Sequence, residues 1–294
     1  FNTVNGIPAT GNKKLMRGIL RDEMGFDGVL ISDWAAIEET IYHGYCADKE
    51  DAAIRAVEAG VDIDMMTGIY CDNLCRLVRE GKIPESLVDE CCMRILELKN
   101  KLGLFENPYK DADEEKEQQL ILCKEHRELA REAARKSFVL LKNEEQILPL
   151  DKTKKTAFIG PYVNSRNLMG SWSIIGEAKD ITTVEEIMAV EEAGNNVVCC
   201  QGSPMLGAEV ILEGFTEENQ ATYTPEEEAN MLEEALEAAK KADQVVLFIG
   251  EDRLQSGEAT SNATIQIPQI QQNLLERVAE INDCLLNTSP SPRD

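Results

Sequence analysis

The chain has 294 residues, enough for one large domain or two domains of medium size. Its formal net charge of −24 and its isoelectric point near 4.5 argue against nucleic acid and anionic membranes as partners, because both attract basic surfaces. No apolar run is long enough to span a bilayer.

Nine cysteines are scattered along the chain, and the adjacent pairs Cys91-Cys92 and Cys199-Cys200 suit structural disulfides poorly. This pattern favours a reducing compartment, so we expect the protein in the cytoplasm. Cys71 and Cys75 would share one face of a helix, but their spacing is not the Cys-x-x-Cys of common zinc and redox motifs. Ordinary packing is the preferred interpretation, rather than a metal or redox role.

Helices and strands are predicted to alternate in the first third of the chain. Apolar residues at helical spacing predict a helix over residues 12–23. The uninterrupted apolar run that follows predicts a parallel strand, Gly28 to Ile31, covered on both faces. The other predicted elements are a helix over 52–59, a strand over 61–65, and helices over 74–79 and 85–101. Strands alternating with helices indicate parallel β/α units.

The polar, charge-rich stretch over residues 107–123 is predicted to be a linker, and its acidic run is also typical of a solvated helical face. Beyond it, the pattern indicates an open α/β layer with parallel strands. Strands are predicted over 138–143, 156–160, 196–200 and within 244–251, and helices over 124–136, 225–241 and 268–281.

The stretch from Gly25 to Trp34 closely resembles the nucleophile signature of glycoside hydrolase family 3, which contains many β-glucosidases and β-xylosidases. The upstream segment Asn5-Gly6-Ile7-Pro8 is similar to the family's Asn-Gly-x-Pro segment. The resemblance implies that Asp33 is the catalytic nucleophile. From the stretch alone, Asp33 is also suited to capping the next helix, as an acid after a strand commonly does.

The resemblance covers roughly residues 1–280 and implies two α/β domains, both incomplete. Residues 1–106 are expected to be the C-terminal part of a (β/α)8 barrel, since two complete strands are recognised and the barrel needs eight. Residues 124–283 are expected to form most of an α/β sandwich domain. The tail over 284–294 contains Pro290 and Pro292, which argue against a central strand, and it resembles a non-native translated end.

A second carboxylate lies in the loop over residues 251–262. This loop resembles the family segment that carries the general acid/base, with Glu258 in that role, and Gly257 beside it allows a sharp turn of the backbone. On composition alone, an acidic surface loop is the alternative. Asn262 stands where many relatives have Arg, which leaves any contact of that Arg open.

A retaining glycosidase needs two carboxylates about 5–5.5 Å apart across the scissile bond. Asp33 and Glu258 belong to different predicted domains, so we expect the site in the cleft between those domains. Glu39 and Glu251 are the runner-up acids. Glu39 lies near a predicted helix start, where stabilising the helix dipole is the alternative role.

The two tryptophans of the chain, Trp34 and Trp172, are the predicted substrate-binding residues. An indole offers a flat apolar face that suits the C–H face of a sugar, and the resemblance implies that aromatic residues near these positions hold the sugar. Core packing is the alternative for each of them.

The predicted function, as the resemblance implies, is that of a retaining, exo-acting β-glycosidase, with a β-glucosidase preferred and with no metal and no organic cofactor. One rival is an N-acetyl-β-glucosaminidase of the same family, whose acid/base is typically a histidine on a barrel loop; a second domain with Glu258 argues against it. The other rival is a non-catalytic sugar-binding homologue, against which the presence of both Asp33 and Glu258 argues. A carbohydrate is the expected partner, without nucleic acid or membrane, and a homo-oligomer remains open.

Overall fold

The computed structural model describes residues 2–143, 146–170, 172–173, 176–190, 196–207, 223–255, 257–258, 260–261 and 263–288. Contacts divide the chain into two units, Phe1–Lys136 and Ser137–Asp294. Each unit has its own cluster of buried apolar side chains. Within the described ranges, no helix combines the length and the apolar composition that a membrane span requires.

The first unit is mainly helical. A short antiparallel hairpin, β1 (Thr3–Val4) and β2 (Ile7–Pro8), is followed by a 3₁₀ turn, Ala9–Gly11. The α-helices are α1 (Ala36–Tyr42), α2 (Lys49–Ala59), α3 (Ile69–Arg79), α4 (Glu85–Lys101), α5 (Glu114–Leu120) and α6 (Lys124–Ser137). The four α-helices predicted from the sequence in this part are confirmed, and each is as long as predicted or longer.

The predicted helix over residues 12–23 is present but is wound as a π-helix, Lys14–Glu23. At its end, the N–H of Met24 donates to the C=O of Ile19, five residues earlier, at 2.9 Å. The apolar pattern could not distinguish this winding from an α-helix, because the pattern reports which residues share a face and not which carbonyl accepts each N–H.

The two predicted strands of the first unit lie parallel and side by side, but they form a single bridge, between Ile31 and Ile63. The N–H groups of Asp62 and Ile63 donate to the C=O of Leu30 at 2.7 and 3.2 Å. The prediction that residues 28–31 are covered on both faces is wrong. Leu30 packs against the core, whereas Ile31 is 49% exposed, because the described residues supply one neighbouring strand and a packing layer on one face.

Helix α2 lies at the centre of the first unit's core. Its buried side chains are small, which lets α1 and α3 approach closely: they are Ala52, Ala53, Ala56, Val57 and Ala59. The helix begins where the Asp48 carboxylate accepts a hydrogen bond from the N–H of Asp51 at 2.9 Å.

The end of the first unit is exposed. The predicted linker over 107–123 contains α5, and neither α5 nor α6 has a buried residue. Helix α6 groups with the first unit, so the boundary between the units falls after Lys136, whereas the sequence placed the start of the second domain at residue 124. Because α6 buries no face, its sequence pattern could not indicate which of the two units it belongs to.

The second unit is built on a parallel sheet of four strands, β3 (Thr156–Ile159), β4 (Val197–Cys200), β5 (Gln244–Phe248) and β6 (Leu285–Thr288), in the order β4-β3-β5-β6. The helices are α7 (Val184–Val190), α8 (Pro225–Lys241) and α9 (Gln269–Ala279), with a 3₁₀ turn at Ala178–Asp180. Side chains of α8 and α9 pack with β3 and β5 in one core. The predicted α/β layer with parallel strands is confirmed.

One strand prediction in this unit is wrong, and the tail contains a strand that was not predicted. Residues 138–143 form no strand: none of them pairs with the described sheet, and Phe138 and Leu141 are 80% and 89% exposed. The prolines of the tail argued against a central strand, and the strand that the tail does contain, β6, pairs with β5 from Leu285 to Thr288 as the last strand of the described sheet. The strand ends before Pro290 and Pro292, which lie outside the described residues, so they remove no hydrogen bond from it.

Candidate active site

Asp33 lies directly after the parallel bridge, in the turn that leads into α1, and its side chain is exposed. The carboxylate Oδ1 accepts a hydrogen bond from the backbone N–H of Trp34 at 2.6 Å. The N-cap position of α1 is occupied by Ala35, and no side chain caps the helix. The alternative of a capping aspartate is therefore not adopted, and the acid faces solvent at the carboxyl end of a strand.

The backbone on either side of Asp33 is held by the neighbouring segment over residues 61–65. The buried Ser32 donates its hydroxyl to the C=O of Asp33 and accepts the N–H of Met65, both at 2.9 Å. The N–H of Ala35 donates to the C=O of Met65 at 3.2 Å. Ala35 itself has φ 55°, a left-handed conformation that is uncommon for a residue with a Cβ atom. Such strain persists where the surroundings fix the backbone, as they do here.

A buried ionic cluster fixes the strand that leads to Asp33. The fully buried carboxylate of Asp62 accepts from Arg21 at 2.7 Å, from Arg94 at 2.8 Å and from the N–H of Leu30 at 2.8 Å. Arg21 also donates to the C=O groups of Gly28 and Gly60, at 3.0 and 2.8 Å. The π-helix, α4 and both parallel segments therefore meet at one side chain.

Trp34 is 59% exposed, so within the described residues it does not adopt the core-packing alternative. An exposed indole beside an exposed carboxylate leaves an apolar face available to a ligand. Glu39 lies in the first turn of α1 and is half-buried, which fits its alternative role at the helix dipole.

Glu258 lies in the loop that follows β5, and its side chain is exposed. Gly257 has φ 121°, which is costly for other residue types and which confirms the predicted sharp turn. The C=O of Gly257 accepts hydrogen bonds from the N–H and the hydroxyl of Thr260, at 3.3 and 2.9 Å. Asn262 lies outside the described residues.

The start of this loop is fixed by partners that the sequence analysis missed. The C=O of Glu251, one of the runner-up acids, accepts from the hydroxyl of Tyr162. Burial, and then the charges of Asp252 and Glu251, raise the pKa of Tyr162, so this hydroxyl remains a donor. Asp252 is buried, and its carboxylate accepts from the amide of Asn167 at 3.0 Å and from the N–H of Leu254 at 2.9 Å.

The Asn167–Asp252 hydrogen bond connects the loop after β3 to the loop after β5. Trp172 follows Asn167 by five residues and is 69% exposed. Gly160 ends β3 where a Cβ atom would lie 2.2 Å from the C=O oxygen of Phe248, so only glycine lets the two strand ends approach this closely. The structure thus brings the start of the Trp172 loop and the start of the Glu258 loop together at the carboxyl ends of the neighbouring strands β3 and β5.

Comparison with known families decides the identity of the chain. The model of the Glycosyl hydrolase family 3 N terminal domain matches residues 1–98, and the model of the Glycosyl hydrolase family 3 C-terminal domain matches residues 138–292. The chain belongs to glycosyl hydrolase family 3. The predicted family is confirmed, and with it, at the level of the family, the predicted class of glycoside hydrolases.

The family 3 chain is similar to enzymes named as glycosidases. It is 37% identical over 94% of its length to a periplasmic beta-glucosidase of Salmonella typhimurium, and 32% identical over 94% to a putative beta-xylosidase of Formosa agariphila. It covers 37% and 34% of those proteins. A solved beta-glucosidase from Listeria innocua, in complex with isofagomine, is 40% identical with a TM-score of 0.83, over 98% of this chain and 37% of that one. The chain therefore spans about a third of the length of the relatives it matches.

The expected cytoplasmic location is contradicted by the relative from Salmonella, which is named as periplasmic. The expectation rested on cysteines, all nine of which lie in described residues and are free. Burial raises the pKa of Cys91 and of Cys200 to about 12, so these thiols rarely form the reactive thiolate. Buried thiols of this kind are compatible with either compartment, so they carry no information on location.

Proposed function

We propose that the family 3 protein containing this chain is a retaining, exo-acting β-glycosidase, a β-glucosidase first, with Asp33 as its nucleophile. The observation that carries the proposal is the placement of Asp33. Its backbone is bound on both sides to residues 63–65, its side chain is exposed, and the helix that follows does not use it as a cap. A nucleophile held rigidly by its backbone and open to substrate meets the need for close, oriented attack.

The proposed first step forms a bond between a carboxylate oxygen of Asp33 and the anomeric carbon of the sugar, while the bond to the leaving oxygen breaks. Oδ1 of Asp33 accepts the N–H of Trp34, and Oδ2 makes no hydrogen bond among the described residues, so we assign the attack to Oδ2. The hydrogen bond from Trp34 fixes the orientation of the carboxylate.

Glu258 is the proposed general acid/base. In the first step its carboxyl proton passes to the leaving oxygen. In the second step its carboxylate takes a proton from water, whose oxygen attacks the anomeric carbon and breaks the bond to Asp33. Two displacements return the β configuration. The exposed position of Glu258 after the turn at Gly257 supports this role, because both proton transfers need contact with bound molecules.

Trp34 and Trp172 are the proposed sugar-binding residues. Both indoles are more than half exposed, which supports contact with a ligand rather than core packing. The Listeria beta-glucosidase has been solved with glucose, which favours a glucoside as substrate. A β-xyloside is the second candidate substrate, because another relative is named as a putative beta-xylosidase. Comparison of kcat/KM for aryl β-glucosides and aryl β-xylosides would distinguish the two substrates.

Trapping of the glycosyl-enzyme tests the proposed nucleophile. A 2-deoxy-2-fluoro-β-glucoside with a dinitrophenyl leaving group should label the protein with its barrel completed upstream, and peptide mass spectrometry should locate the sugar on Asp33. Asp33→Ala should abolish labelling and turnover, because no glycosyl-enzyme can form. Asp27→Ala is the matched control, since Asp27 is an exposed aspartate of the same stretch, and it should label normally. A label on Glu39 or another acid would refute the assignment.

A further inference from the structure

Gln271, in the first turn of α9, is a fully buried polar side chain that the proposed chemistry does not use. Its Oε1 accepts the N–H of Gly250 at 2.8 Å, and its Nε2 donates to the C=O of Gly250 at 2.9 Å. The Nε2 donates a second time, to the C=O of Met205 at 2.6 Å. The side-chain amide thus binds Gly250 through the same two groups that a neighbouring strand would use.

These contacts leave the Gln271 amide no freedom. Both of its protons are used, and the helix that carries it is packed into the sheet core through Leu274 and Val278, each fully buried. Rotation of the side chain would leave the buried N–H and C=O of Gly250 without partners, which is unfavourable in an interior from which water is excluded. The position of Gly250 is therefore set by α9.

Gly250 is the point at which the loop bearing Glu258 leaves β5. From there, Glu251 and Asp252 are fixed through their bonds to Tyr162 and Asn167. Beyond Gln255, whose side chain accepts the N–H of Asp252 at 2.8 Å, the described hydrogen bonds are local to the turn at Gly257. Because these local bonds do not tie the turn to the sheet, a shift of Gly250 and of the loop start would also displace Glu258.

We propose that Gln271 is a positioning residue for the general acid/base, acting through Gly250 on the loop that carries Glu258. The inference rests on the role proposed for Glu258. It predicts that a change at Gln271 impairs proton transfer more than attack by Asp33, because the nucleophile is held by other residues in the other unit. A residue needed for folding alone would impair both steps equally.

The test compares substrates that do and do not need acid assistance, in the protein with its barrel completed upstream. Gln271→Met keeps the length of the side chain and removes its hydrogen bonds. Its kcat/KM should fall about 100-fold on phenyl β-glucoside, the loss expected for a misplaced catalytic group. On 2,4-dinitrophenyl β-glucoside, kcat/KM should stay near the parent value, while kcat falls and added azide raises it.

Gln271→Glu supplies a second readout that does not depend on the folding of the methionine variant. When protonated, its carboxyl group has one donor and one acceptor and can keep both bonds to Gly250. When ionised, it places a negative charge against the C=O of Gly250. The kcat/KM for phenyl β-glucoside should therefore fall with rising pH through an ionisation that the parent protein lacks, and the kcat/KM for the dinitrophenyl substrate should follow the parent profile.

Gln272→Met is the matched control. Gln272 is the next residue of α9, and its side chain bonds Glu276 on the same helix at 2.8 Å, so both substrates should be turned over as by the parent. Equal losses on both substrates, parent-like activity on both, or a Gln271→Glu profile without the added ionisation would overturn the inference. Glu258→Ala is measured alongside. If Glu258→Ala loses activity according to the leaving group and the Gln271 variants do not, only the inference about Gln271 fails. If Glu258→Ala shows no dependence on the leaving group, the proposed role of Glu258 fails as well.

Discussion

At the scale of single residues, the two proposed carboxylates share one arrangement. Asp33 and Glu258 are exposed, and each follows a backbone segment whose hydrogen bonds are satisfied by buried polar groups, Ser32 in one unit and Gln271 in the other. We assign the catalytic steps to the exposed carboxylates, and the positioning of their backbone to the buried polar side chains. Substitutions at the two kinds of residue should therefore have different signatures.

Glu258→Ala should lose activity according to the leaving group. With the barrel completed upstream, kcat/KM on a substrate with a poor leaving group should fall about 10²–10⁴-fold, the usual contribution of general acid catalysis. A dinitrophenol leaves without protonation, so the first step should survive on such substrates and the glycosyl-enzyme should accumulate. Azide attacks without losing a proton and should restore turnover, giving a β-glycosyl azide. Equal losses on both substrates with no effect of azide would exclude Glu258, and Glu39 would be tested next.

The residues that carry the resemblance were predictable, whereas those that support them were not. Asp33, Trp34 and Glu258 are parts of motifs, and their exposure agrees with a functional role. Gln271 belongs to no motif, yet one signal was present. It stands on the face of α9 that also carries Leu274 and Val278, and a polar residue at an apolar position of a helix indicates a buried hydrogen-bonding role.

At the scale of elements, Asp62 joins the parts of the first unit. Its carboxylate bonds the π-helix through Arg21, α4 through Arg94 and the strand segment through the N–H of Leu30. The Asp62 side chain is fully buried and the two arginine side chains are 6% and 17% exposed, so water screens this cluster little. Loss of the shared charge would leave two arginines facing each other in a buried site.

Asp62→Asn should therefore destabilise the first unit by about 3–5 kcal/mol, the usual cost of removing one partner from a buried ion pair. The measurement is the free energy of unfolding from urea denaturation followed by circular dichroism. Glu50→Gln is the control, because Glu50 pairs with Arg76 and Lys82 at the surface and should contribute little. Similar unfolding midpoints for the two variants would contradict a central role for Asp62.

Helices were predicted more accurately than strands, and their end signals explain the difference. The predicted bounds of α4 and α8 are those observed, because Pro84 and the Thr224-Pro225 pair mark the helix starts in the sequence. A strand depends on partners that are distant in the chain. Residues 138–143 look like a strand but have no described partner, and β6 forms because the edge of β5 is available to it.

At the scale of the whole molecule, the first unit holds one parallel bridge in its described part, whereas a complete barrel has eight strands. We therefore expect the 294-residue chain alone to show little or no glycosidase activity, since most of the proposed barrel is missing and an open barrel leaves strand edges unpaired. Hydrolysis of an aryl β-glucoside by the purified chain is the measurement. Robust turnover would contradict the proposed barrel architecture.

The strand order of the second unit has a consequence for how this family 3 fold can change. The chain leaves β3 towards β4 on one side and leaves β5 towards β6 on the other, so the order reverses between β3 and β5. Such a topological switch point opens a crevice at the carboxyl ends of the two strands, where ligands of open α/β sheets commonly bind. Both the Trp172 loop and the Glu258 loop begin there. New specificities can therefore arise by exchange of these two loops while the sheet, its glycine contact at residue 160 and its core are inherited unchanged.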